Sequence, residues 1–165
     1  MAIVEKGVLS KIEDYSITRS LVLGINPTSI RRQRTTSFDF HRRPGGLLGL
    51  PVFNALGDWV VSMDLLLYTR EGLHGLMIQQ QAFLETLLLP SEVGGSPPEM
   101  VIGFGSQRFW VGVLTSLQII DEEFSKDLTP IRSRASISMV ETTLGTVEDA
   151  AWLRDKHTLE GGVFG

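Results

Sequence analysis

The chain has 165 residues, no cysteine and a formal net charge of −4. That length fits one domain, or one domain with a short tail, and buries a real core without metals or disulfides. The missing cysteines exclude a disulfide framework, a thiol nucleophile and a cysteine zinc site, and the acidic balance gives no global pull toward nucleic acid or anionic lipid.

Met1-Ala2-Ile3-Val4-Glu5-Lys6-Gly7 has no basic flank followed by an apolar run, so it does not read as a signal peptide. The apolar stretches Trp59 to Val61 and Leu65 to Leu67 are broken by Ser62 and Asp64, far short of a membrane span. A soluble, cytoplasmic product is expected.

Val4 to Glu13 reads as an opening strand. Leu21-Val22-Leu23-Gly24-Ile25 is a second apolar run, closed by the turn signal Asn26-Pro27. Ser29 to Phe40 then alternates. Ile30, Arg32, Arg34, Thr36, Phe38 and Phe40 fall on one side, and Arg31, Gln33, Thr35, Ser37 and Asp39 on the other. This is a strand pattern with two half-polar faces, so at least half of it should meet water or a polar partner. His41 to Leu56 reads as a long loop, punctuated by Pro44, Gly45, Gly46, Gly49 and Pro51. It nevertheless carries Leu47, Leu48, Leu50 and Phe53, and exposed apolar residues on a long loop point to a docking surface.

Trp59 to Tyr68 is the clearest strand, with Trp59, Val61, Met63, Leu65 and Leu67 on one face. A helix is predicted over about Leu73 to Leu89. Leu73, Leu76, Met77, Gln80, Leu84, Leu87 and Leu88 follow its apolar spacing, and Pro90 ends it. Gly94 to Pro98 is a loop, Met100 to Phe104 a short strand, and Gly105-Ser106 a turn. Phe109, Val111, Val113, Thr115, Leu117 and Ile119 then alternate with Trp110, Gly112, Leu114, Ser116 and Gln118. Asp121 to Thr129 reads as an acidic turn. Ile131 to Thr142 alternates Ile131, Ala135, Ile137 and Met139 against Arg132, Arg134, Ser136 and Ser138, which makes a hairpin with the preceding strand. Val147 to Leu159 is a candidate short helix, followed by a glycine-rich end. The order of strands, one helix, then strands predicts a mainly β, α+β domain over 1–143 with a tail or short helical extension over 144–165.

No constellation for catalysis stands out. His41, His74 and His157 lack metal-ligand spacing. Gly103-Phe104-Gly105-Ser106 lacks the third glycine and the following helix of a dinucleotide loop. Asp121-Glu122-Glu123 is unlike a calcium loop. Asp58 and Asp64 lie six residues apart, about 20 Å along a strand, too far for paired carboxylates. No catalytic residue, cofactor or metal is therefore expected. Arg31, Arg32 and Arg34, with Arg42 and Arg43, cluster early, and Arg132 and Arg134 lie late. If their strands adjoin, they form an arginine-rich face, read either as a solvated edge or as a protein contact. Nucleic acid ranks third, because no stacking aromatics are interleaved with the arginines.

Several segments resemble one family. Leu23-Gly24-Ile25-Asn26-Pro27-Thr28-Ser29-Ile30-Arg31-Arg32 is similar to the "F-N-P-x-x-(I/L)" signature of contractile injection system tube proteins, which include tube-initiator and hub adaptors and relate to contractile phage tail tubes. Trp59 to Tyr68, the helix, Pro97 to Gly105, Phe109 to Leu117 and Pro130 to Ala135 resemble further family segments in the family's order, over about residues 1 to 142. No LysM-like segment follows residue 143, so peptidoglycan binding is not implied. The resemblance implies a tube-like β-barrel or sandwich with one flanking helix. It also implies a homo-hexameric ring, either repeated along an inner tube or placed once as an initiator between spike or hub and tube. Its partners would be neighbouring tube, spike, hub and baseplate proteins. Leu47, Leu48, Leu50, Phe53 and the arginine strand are then the expected subunit contacts. The reading from a different class is a small β-barrel binding module for a ligand or nucleic acid.

Overall fold

The computed structural model describes residues 6–13, 16–42, 44–69, 74–90, 95–104 and 108–142. The protein is mainly β, with one helix among those residues. The strands are β1 (Gly7–Glu13), β2 (Ser16–Val22), β3 (Ile30–Gln33), β4 (Thr36–His41), β5 (Leu50–Leu56) and β6 (Val60–Tyr68). Helix α1 (His74–Thr86) follows, then β7 (Glu99–Phe104), β8 (Arg108–Phe124) and β9 (Pro130–Glu141). Seven strands form one antiparallel sheet in the order β2-β1-β7-β8-β9-β6-β3, and β4 and β5 form a separate two-stranded ribbon.

The large sheet is rolled. Leu23 donates its amide to the Gly7 carbonyl at the start of β1, and Ile25 bridges to Leu66 on β6. In a flat sheet β1 and β6 would stand four strand spacings apart, about 19 Å. Two residues of chain span at most about 7 Å, so the two sides of the sheet meet at this segment. Residues 16–33 thus behave as one interrupted strand, paired with β1 first and with β6 afterwards. Asn26-Pro27 supplies the interruption, since the proline has no amide to donate.

One core fills the roll. Leu9, Leu21, Leu23, Val61, Met63, Leu65, Leu67, Met100, Ile102, Leu114, Ala135, Ile137 and Met139 belong to it, joined by Met77, Phe83 and Leu84 of the helix and by Leu87 just past its end. Helix α1 lies against β6, β8 and β9. Gln81 donates to both Asp121 and Ser133, which places the helix toward the Tyr68 end of β6. Gly112 faces this core. A Cβ there would run into the Val140 carbonyl and the Met139 methyl, so the close approach of β8 to β9 requires glycine.

Several expectations change. The single strand over Ser29 to Phe40 is two strands in different sheets, β3 and β4, broken at Arg34-Thr35. Half of the loop over His41 to Leu56 is strand, because Leu50–Leu56 pairs with Thr36–His41. Its alternation was invisible because neither face of the ribbon is buried. On β8 the register slips between Leu114 and Ser116. Trp110 and Leu114 pack on the core before the slip, and Leu117 and Ile119 after it. Strict alternation puts Val111 with Leu117; the bulge separates them. Val111 instead joins Ile12 and Val101 in a second small cluster. The acidic turn is shorter than expected, since Asp121 to Phe124 continue β8. In the helix, Phe83 replaces Leu76, which is half exposed, on the buried face. Leu73, Gly105-Ser106, Arg43 and 143–165, with the expected tail, lie outside the described residues.

Two substitutions test this core. Leu65→Ala is expected to cost about 2–5 kcal/mol, and Gly112→Ala about 1–3 kcal/mol by overpacking. Urea unfolding followed by circular dichroism reads both. A Gly112→Ala chain as stable as the parent would contradict the β8–β9 packing described.

Candidate functional site

The ribbon β4–β5 is an arm. All of its strand residues are exposed. Residues paired across a ribbon share a face. Phe38 faces Phe53 and Phe40 faces Pro51 on one side, while Asp39 faces Val52 and His41 faces Leu50 on the other. Phe38 and Phe53 meet edge to face, with ring centroids 6.1 Å apart. Gly45, at φ 80°, turns the tip and leaves Leu47 fully exposed and Leu48 88% exposed. A two-stranded hairpin on its own is marginal in water. This one shows apolar side chains on both faces and at its tip, a surface suited to cover by another molecule.

The base of the arm is clamped. Arg32 pairs with Val61 and so points to the core face of the sheet, where it forms a two-pronged ion pair with Glu141: Nε to Oε1 is 2.9 Å and Nη2 to Oε2 is 2.8 Å. Its guanidinium lies 4.1 Å from the Trp59 ring centroid, and that of Arg34 lies 5.5 Å from the same ring. Arg34 also donates to the Gly57 carbonyl, and the Gly57 amide donates to Thr35. Two cations on one indole, held by a carboxylate and two backbone bonds, fix where β4 leaves and β5 returns.

The arginines therefore do not form one face. Arg32 and Arg34 sit on Trp59 at the base of the arm. Arg31, paired with Ser62, points to the opposite side of the sheet. Arg132 and Arg134 pair with Glu122 near the other end of β6. The Arg132 Nε contact, at 3.2 Å, is ionic rather than a hydrogen bond, because no acceptor is aligned with that N–H. Four apolar residues expected to make contacts are brought together on the arm, Leu47 and Leu48 at the tip and Leu50 and Phe53 on β5. Phe38, Phe40, Trp59 and Glu141 join the site without having been singled out. The Phe38-x-Phe40 alternation was the available signal for two of them, whereas Glu141 lies 109 residues from Arg32.

The outward side of β3, β6, β9 and β8 is polar. An open groove of about 290 Å³ there is lined by Arg31, Asp64, Gln118 and several serines. The Ser62 and Ser138 hydroxyls are 2.7 Å apart, and Ser136 donates to Asp64 at 2.6 Å. These groups spend their hydrogen bonds within the sheet. Among the described residues no three His, Asp or Glu side chains group as a metal site would need, and no helix is long and apolar enough to cross a membrane. No protein-family model matches the chain, and no curated protein is significantly similar to it.

Trp59→Ala removes the surface that both arginines share. It is expected to cost about 1–2 kcal/mol while speeding limited proteolysis within 36–56 far more than elsewhere. Unchanged cleavage of the arm would contradict the clamp.

Proposed function

We propose that the chain is a structural subunit of a contractile injection system or contractile phage tail. In this reading it forms a ring of the inner tube or of the tube-initiator layer that joins spike or hub to tube. The observation that carries the reading is the arm: a ribbon with apolar residues on both faces, held at a fixed base and left exposed by the other described residues. A free-standing protein gains nothing from such a ribbon, whereas a subunit uses it to seat on a neighbour. The rolled sheet with one flanking helix and the ordered segments from Asn26-Pro27 to Pro130 support the same reading. The polar outward side, with Ser62, Asp64, Ser116, Gln118, Ser136 and Ser138, suits a water-filled lumen. Six copies related head to tail close such a ring through a heterologous interface. The function is assembly, with no turnover and no cofactor.

Absolute mass from size-exclusion chromatography with light scattering, and electron microscopy of the same peak, test the proposal. Six-fold rings or stacked tubes are expected, and Leu47→Asp with Leu48→Asp is expected to abolish them without changing the circular dichroism spectrum. A strict monomer that neither self-assembles nor binds a spike or tube protein would contradict it.

A further inference from the structure

The arm has a complementary surface at the other end of the same molecule. It leaves the sheet where β3 and β6 pair, at Gln33 and Val60. The β8–β9 turn lies past the opposite end of β6, where Tyr68 pairs with Arg132. Eight residue steps of β6 separate the two ends, about 27 Å.

This turn is built to display an apolar group. Leu128 has φ 59°, a conformation that costs a branched L-residue about 1 kcal/mol or more. Ser125 holds it there by accepting from the Leu128 amide and the Thr129 amide and by donating its own amide to the Thr129 carbonyl. The result is a leucine 81% exposed, next to the end of β8 where Phe124 is half exposed. Glycine or asparagine would relax the backbone, yet a leucine stands at this position. Around it the charge is negative. Glu122 is neutralised by Arg132 and Arg134, and Asp121 accepts from Ser133 and Gln81. Glu123 and Asp127 have no partner among the described residues, against the single Lys126.

The arm tip has the opposite character. It carries His41 and Arg42, followed in sequence by Arg43, and then the exposed Leu47 and Leu48, with no acid between Phe40 and Leu50. Arg42 has no partner among the described residues.

We infer that the β8–β9 turn is the receptor for the arm tip of a second copy of this chain. Leu47 and Leu48 meet Leu128 and Phe124, and Arg42 meets Glu123 and Asp127. The two surfaces differ and lie at opposite ends of the molecule, so the contact is heterologous, the kind through which a ring of copies closes. Opposite charges set the pairing and reject tip-to-tip or turn-to-turn contact. This rests on the subunit role proposed above and adds to it the identity of the partner surface.

The absence of native cysteine makes the test clean. L48C chains are mixed with L128C chains at the highest soluble concentration and oxidised mildly, with D127C as a second probe should L128C fold poorly. A mixed disulfide dimer several-fold above either homodimer is expected. Glu123→Lys in the turn chain should weaken it several-fold, and Arg42→Glu in the arm chain should restore it. Homodimers alone, a mixed product indifferent to the charge reversals, or no product overturns the inference. Light scattering on the same samples separates the outcomes. Rings without a mixed product overturn this contact and leave the ring, whereas monomers without any product count against both.

Discussion

Within three residues the chain passes from β1 to β6: Leu23 is hydrogen-bonded to Gly7, and Ile25 is bridged to Leu66. That crossing rolls the sheet, and everything else follows from it. It lets β1, β6, β7, β8 and β9 share one core with Leu23 at its seam and the helix along one side. It also puts β3 beside β6, so the next stretch of chain must leave at the Val60 end. The arm emerges there because the crossing occurs where it does.

Energetically the molecule divides in two. The roll buries a contiguous set of leucines, methionines and Phe83, each worth about 1.5–3 kcal/mol on burial. The arm buries little and holds its orientation through the Arg32–Trp59–Arg34 stack and Glu141. The same arginine-rich segment serves as strand, as clamp and, at Arg31, as part of the polar outward side. Arg32 and Arg34 are committed to Glu141, Trp59 and Gly57 while Arg31 points to the other side of the sheet, so these three do not make one face.

How much of this was legible in the sequence varied with burial. Where one face is buried, as in β6 and β9, alternation named the inward residues correctly, Val61 to Leu67 and Ala135 to Met139. Where no face is buried, the pattern failed: Leu50–Leu56 is a strand whose side chains all meet solvent, and proline and glycine at its approach mimic a loop. A single bulge after Leu114 reassigned half of β8, which no local pattern signals. The four exposed apolar residues Leu47, Leu48, Leu50 and Phe53 were visible as misplaced leucines and a phenylalanine. The clamp was not, because Glu141 and Trp59 reach Arg32 only after the sheet has formed.

The central claim is that the arm is completed by another subunit. Hydrogen exchange at the backbone amides of residues 36–56, in the dissociated chain and in the assembled particle, tests it most directly. Fast exchange when free and strong protection on assembly, with the amides of β6 and β9 protected in both, is the result the account predicts. An arm already protected in the free chain, or equally unprotected in both, would contradict it.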